Sequence, residues 1–244
     1  MPHLLKSVRN NLKNYNIQFI EVKDGNQQKN VMTASWKDIE EFYKEDTKED
    51  NKYRCAPKLT DNHIYARGLS SMKVKLAAQI FSHTVAAGLS LSVRGGLLPA
   101  TASGTAEFVG CMNNLFDSMN SKSRYSSKPF AGAASDMTVH EKFWKDLCSW
   151  VESWKFISIT DRTVTPAKPC QRGLIITLKA MIGVFNFIKN EKIPFLLTNR
   201  FNQDCLENTF SSIRRRGGFR DNPDCREFRS TLRYVIVSNF TKKK

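Results

Sequence analysis

The 244-residue chain is poor in the residues that build compact chemical centres. Its six cysteines, at 55, 111, 148, 170, 205 and 225, form no CxxC pair, and its four histidines, at 3, 63, 83 and 140, stand at neither metal-ligand nor triad spacing. Those absences argue against a zinc site, and scattered cysteine in a chain of this length points to a reduced, intracellular protein rather than a disulfide scaffold. No Gly-Lys dipeptide occurs, which removes the P-loop, and no GxGxxG follows a strand pattern. Thr47-Lys48-Glu49-Asp50 fits the [NT]KxD guanine motif of P-loop GTPases, but without a phosphate loop it reads as a chance match in a charged run. Long apolar runs are missing as well. The longest, Leu174 to Ile188, is interrupted by Lys179 and Asn186 and reads as too short to cross a bilayer. The first residues lack a signal-peptide core. The expectation is a soluble protein with no membrane partner.

Acids are scarce relative to bases: 23 Asp and Glu against 38 Lys and Arg leave a formal charge of +15. Such a balance suits a polyanionic partner and does not choose among nucleic acid, nucleotide and anionic lipid. At 41% hydrophobic and 11% aromatic the chain has enough apolar side chain for a core, which excludes wholesale disorder.

The periodicity is mainly helical. Leu4, Leu5, Val8 and Leu12 form one stripe over residues 4–13. Ile17 to Val22 and Asn30 to Ala34 read as short strands around an Asp24-Gly25 turn, and Ser35 as the N-cap of a helix through Trp36, Ile39 and Phe42. Residues 71–89 read as one helix ended by Gly88, and residues 103–119 as another. Residues 121–136, rich in Ser, Gly, Ala and Lys, read as a loop. Thr138-x-x-Glu141 matches a capping box that opens a helix through Trp144, Trp150 and Trp154, a cluster that suits a core. Residues 157–172 read as irregular, and 173–189 as a central helix. Residues 202–216 form an amphipathic helix stopped by Gly217-Gly218, and Asn222-Pro223 looks like the start of a last one. The fold class expected is mainly α with a small β element.

Two features carry candidate chemistry. Asp204 and Glu207, at i and i+3, project from one helix face and suit a divalent cation or two neighbouring ligands, although a bare DxxE is a common pattern near helix N-termini. Residues 196–244 hold eleven Lys and Arg against five acids, with Arg214, Arg215, Arg216 and Arg220 concentrated together. That density of Arg suits phosphate contacts as well as a solvated face. Lys58, Lys73 and Lys75 are single lysines able to meet phosphates.

As whole strings the sequence says more. LTNRFNQDCLENTFSSIRRRGG (197–218), followed by DNP (221–223), resembles the C-terminal RNase H-like segment of the P element transposase family, which includes the THAP-type DNA transposases. PHLLKSVRNN (2–11), MKVKLAAQIFS (72–82), TAEF (105–108) and FDSMNS (116–121) agree in family order. The resemblance implies an RNase H-like fold whose three acids bind two Mg²⁺ for DNA strand cleavage and transfer, interrupted by a helical insertion that binds GTP. It places the third catalytic and metal-binding carboxylate on Glu207 and a guanine contact on Asp204. A carboxylate is chemically suited to that contact, because it accepts from guanine N1–H and N2–H₂. The resemblance also implies GTP contacts at Lys58, Lys73, Val74, Ser82, Phe116, Asp117 and Asn120, with the lysines toward phosphate. DNA is the implied macromolecular partner, the nucleus the implied location, and self-association stays open.

Domain limits follow from the same strings: 1–56 a partial RNase H-like segment, 57–195 the helical GTP-binding insertion, 196–244 the RNase H-like C-terminal segment. The family's other two catalytic aspartates precede the PHLLK string, where this chain has Met1. The expectation is therefore a truncated transposase, unable to cut or join DNA alone, whose apolar faces at 4–22 and 206–236 lack their cover. Two alternatives stand beside it: a domesticated DNA-binding regulator using the basic C-terminal segment, and a part of a longer, active Mg²⁺-dependent transposase.

Overall fold

A computed structural model describes residues 1–21, 30–48, 53–218 and 222–241. The Asp24-Gly25 turn, Val22, Glu49, Asp50 and Arg220 lie outside them. The chain divides into two compact units, Met1–Arg200 and Phe201–Lys244.

The first unit is built on a small sheet. α1 (Pro2–Leu12) leads into β1 (Tyr15–Ile20), which pairs antiparallel with β2 (Val31–Ala34) in the register Ile17↔Ala34 and Phe19↔Met32. On its other side β1 pairs with β3 (Lys155–Ser158), which pairs with β4 (Val164–Thr165), so the order is β2-β1-β3-β4. Strand alternation sends Ile17 and Phe19 into the core. Residues 157–165, expected to be irregular, thus complete the sheet, which one β1 edge alone could not announce in sequence.

Helices supply the rest: α2 (Trp36–Asp46), α3 (Asp61–Ile64), α4 (Val74–Ile80), α5 (His83–Arg94), α6 (Ser103–Ser118), α7 (His140–Glu152) and α8 (Pro169–Asn190). Ser35 caps α2 as expected, its Oγ accepting the Lys37 N–H at 3.3 Å, a contribution of about 1 kcal/mol. The expected 71–89 helix is broken at Phe81-Ser82, because Ser82 Oγ accepts the Val85 N–H at 3.3 Å and starts a new helix. Gly88 does not end that helix. It lies inside α5, where a Cβ would come within 2.5 Å of the Phe42 ring. Thr138 forms no capping box: its hydroxyl serves the local turn with Ser135, and α7 starts from Val139 with no side-chain cap.

The core is aromatic. Phe108 on α6 meets Phe19 at 5.7 Å, Trp150 at 5.4 Å and Trp154 at 5.2 Å between ring centroids, which binds the sheet to α6 and α7. The apolar stripe of residues 4–20 is covered, contrary to the expectation of a bare face: Leu5, Val8, Leu12 and Ile17 are all fully buried. α8 runs 22 residues, longer than its apolar run suggested, and so does reach a membrane-spanning length; one face, with Leu174, Leu178 and Phe185, is packed in the core. Residues 196–200 stay with this unit, since Leu196 pairs with Ala134 and buried Thr198 accepts the Ser121 N–H at 3.0 Å.

The second unit contains α9 (Asp204–Arg216) and α10 (Cys225–Thr241). Gly218, at φ +73°, follows the end of α9 and takes a conformation that suits glycine. Asp224, rather than Asn222, caps α10: its Oδ1 accepts the N–H groups of Arg226 and Glu227, both at 2.8 Å. Leu206, Phe210 and Ile236, within the 206–236 stretch expected to be bare, are exposed, and so are Val237 and Phe240 beyond it.

Candidate functional site

A cavity of about 410 Å³ opens in the first unit between the loop at 56–59, the α4–α5 junction, the C-terminal half of α6 and Lys128. Its size falls within the ordinary range of small-ligand pockets, roughly 300–1,000 Å³.

The loop is held by a buried acid. Asp46, 5% exposed at the end of α2, accepts the N–H groups of Cys55 (2.6 Å) and Ala56 (3.2 Å) and pairs with Arg54 Nε at 3.2 Å. Arg54 in turn donates to the Ala56 and Leu59 carbonyls at 3.2 and 2.9 Å. The chain around Pro57-Lys58 is thereby folded tightly, with Lys58 at the cavity. Tyr43 adds a strut from α2, its hydroxyl donating to Asp61 Oδ1 at 3.0 Å. Burial, reinforced by that bond, raises the Tyr43 pKa above the usual phenol value.

The second wall comes from helix periodicity. Lys75, Ala78 and Gln79 follow one another on α4 at i, i+3 and i+4, so they share the face toward the cavity, and Ser82 joins them from the α4–α5 junction. His83, Thr84 and Val85 add the first turn of α5, whose dipole presents its positive end. The third wall is α6: Asn113, Phe116 and Asp117 share one face. Asn113 joins two walls, accepting the His83 N–H on Oδ1 at 3.2 Å and donating from Nδ2 to Asp117 Oδ2 at 3.3 Å.

The result is a polarised cavity. Lys58, Lys75 and Lys128 bring positive charge, while α6 brings an aromatic ring and a carboxylate. Phosphates suit the first set; a planar base with N–H donors suits the second.

Of the residues picked out in sequence, Lys58, Lys75, Ser82, Phe116 and Asp117 line this cavity together. Lys73 occupies the N-cap position of α4 and Val74 its first turn, both outside the lining. Asn120 lies beyond the end of α6, with Oδ1 accepting from Asn199 Nδ2 at 2.7 Å. Asp204 is in the second unit, and its side chain lies outside the described residues. Gln79, Asn113 and Lys128 went unnoticed in sequence. Helical spacing from Lys75 and from Asp117 marks the first two; Lys128 sits in a loop with no periodicity to mark it.

In the second unit Glu207 is exposed on α9, one turn into the helix. Arg214, Arg215 and Arg216 are exposed in its last turn. Arg216 stacks over Tyr234 of α10 at 3.7 Å. A groove of about 510 Å³ with Asn208, Ser212, Arg215 and Arg216 in its lining runs between the two helices. Among the described residues no three His, Cys, Asp or Glu gather as a metal site. The donor set around Glu207 therefore does not by itself fit a two-metal centre, which needs acids from several elements.

Residues 2–132 match the family model of the TNP-like, GTP-binding insertion domain, and residues 199–232 that of the TNP-like, RNase H C-terminal domain. The transposable element P transposase of Drosophila melanogaster is 33% identical over 187 residues, covering 74% of this chain. The chain belongs to the P element transposase family. The human DNA transposase THAP9 is 27% identical over 248 residues, covering 93% of the chain. A solved Drosophila P element transposase strand transfer complex matches 99% of this P element-type chain with a TM-score of 0.76 and 28% identity. The chain spans 24% of the length of each curated relative and 51% of that solved chain. Its structure is mainly helical with a small antiparallel sheet, as expected, and it carries a GTP-binding insertion domain and an RNase H-like C-terminal domain.

Proposed function

We propose that the cavity of the first unit is a guanine-nucleotide site, and that the chain works as the nucleotide-binding portion of a P element-type transposase. The observation that carries this reading is the mixed lining of the cavity, in which Lys58, Lys75 and Lys128 occur together with Phe116 and Asp117. The lysines and the first turn of α5 meet the phosphates, with Mg²⁺ accompanying the nucleotide as it does other triphosphates. Phe116 stacks on the base and Asp117 accepts from its N–H groups. Lys73, Val74 and Asn120 extend the nucleotide contacts in the assignment drawn from the family motifs.

Glu207 contributes one carboxylate of a Mg²⁺-dependent strand-transfer centre, which requires further acids. Alone it does not support cutting or joining of DNA. Arg214–Arg216 and Arg220, with Arg226 and Arg229 of α10, contact DNA phosphates, and the protein acts in the nucleus. The functional division follows the two units, with the GTP-binding insertion in the first, where its family model matches residues 2–132, and the RNase H-like C-terminal segment in the second.

Calorimetric titration with GTP and Mg²⁺, with ATP as the control, tests the central claim. Saturable binding selective for GTP supports it; equal or absent binding of both by a folded chain overturns it. The second reading, a DNA-binding regulator, draws on the exposed Arg cluster of α9. It requires DNA affinity to fall by about tenfold or more between 50 and 200 mM salt.

A further inference from the structure

One lining residue is oriented from behind by a buried ring. His63, 4% exposed on α3, receives the Thr60 backbone N–H on Nδ1 at 3.1 Å. A backbone N–H only donates, so Nδ1 holds a lone pair and the ring proton is on Nε2. Nε2 lies 3.0 Å from Gln79 Oε1 and donates to it. The amide oxygen of Gln79 is thereby turned to His63, which does not line the cavity, so the NH₂, a pure donor, is the group placed for a ligand. Gln79 lines the cavity with Lys75 of the same α4 face, with Ser82 of the α4–α5 junction and with the carboxylate of Asp117.

From this juxtaposition we infer that Gln79 is a phosphate-chain donor of the nucleotide site and His63 the positioning residue that fixes its amide. The inference rests on the nucleotide reading given above. An unrestrained glutamine offers oxygen and nitrogen about equally, and the oxygen would repel a phosphate. The His63 bond removes that choice without adding charge. It also ties recognition to the fold, because the same ring closes the N-terminal cap of α3.

Gln79→Met and His63→Gln, singly and combined, test this in the full chain by titration with GTP and with guanosine. Gln79→Met keeps side-chain length and removes the donor. His63→Gln keeps a capping-box acceptor for the Thr60 N–H and releases Gln79. Gln79→Met is expected to weaken GTP by about tenfold and guanosine by less than about twofold. His63→Gln should weaken GTP by roughly threefold, and the double variant should be no weaker than Gln79→Met alone. GTP binding by Gln79→Met within about twofold of the parent overturns the assignment to phosphate, as does equal loss of guanosine. Multiplying effects in the double variant overturn the positioning role of His63. A parent chain that binds no GTP overturns the nucleotide reading itself and this inference with it. If Gln79→Met unfolds by circular dichroism, Gln79→Glu serves instead: it still accepts from His63 but turns an anion to the phosphates, so GTP loss must exceed guanosine loss.

Discussion

The two units of this chain handle apolar side chains in opposite ways. In Met1–Arg200 a sheet and eight helices enclose a continuous core in which Phe108, Trp144 and Trp150 are essentially inaccessible. In Phe201–Lys244 two helices share one interface, and Ile213 and Val235 are buried while Leu206, Val237 and Phe240 stay exposed. The difference is geometric. A helix pair has one interface, so a stripe wider than that interface meets water, whereas a sheet with helices around it closes on all sides. The enclosed unit holds a cavity; the hairpin holds exposed charge at the end of α9.

The largest effect that sharpens this contrast is a core truncation. Phe108→Ala should destabilise the first unit by about 3–5 kcal/mol, read as a shift of the urea midpoint by tryptophan fluorescence. Phe240→Ala in the hairpin should stay within about 0.5 kcal/mol. Comparable losses from the two variants would break the comparison. Amide hydrogen exchange offers a direct view: protection should be high through α6 and α7 and low through α10.

Next comes the loop that frames the cavity. Asp46→Ala leaves two N–H groups and Arg54 without their acceptor, at an expected cost of about 1–3 kcal/mol in stability, together with weaker GTP binding. Lys58→Ala should leave the melting temperature unchanged and weaken GTP by about tenfold in calorimetry, since it removes a charged contact from a solvent-facing position. Loss of stability there, or none of affinity, would place Lys58 in the frame rather than the site.

The smallest effect is a pH dependence of the first unit. Burial lowers the pKa of His140 below its ordinary 6.5, with the Phe130 carbonyl pulling weakly the other way. The folded state therefore binds its proton at lower pH than the unfolded state. The contribution is complete above about pH 6.5 and is lost as pH falls below it. Denaturation midpoints at pH 7.5 and 5.5 should show the parent weakening at the lower pH and His140→Asn weakening less.

Much of the fold is legible in the sequence where a single rule operates locally. Ser35 caps α2, Gly217-Gly218 ends α9, and the spacing of Phe108, Met112 and Leu115 sets α6. The errors share a cause. Thr138 and Asn222 have the right chemistry for caps, but neighbouring residues, Ser135 in one case and Asp224 in the other, win the competition for the local hydrogen bonds. The 71–89 pattern is helical throughout, and only the Ser82 cap and the burial of Phe81 decide that it is two helices. Lys58, Ser82, Phe116 and Asp117 emerged from their motifs; that they share one cavity did not, since 59 residues separate the first from the last.

The sequence by itself determined the helical texture, the excess of positive charge and the family, because each is written in residue order and composition. Tertiary structure decided what lies between. It paired β1 with a strand more than a hundred residues later, covered the N-terminal stripe, and gathered three lysines, a ring and a carboxylate around one cavity. It also turned Gln79 into a donor through His63. Those outcomes depend on distances between segments remote in sequence, which packing fixes and local periodicity does not encode.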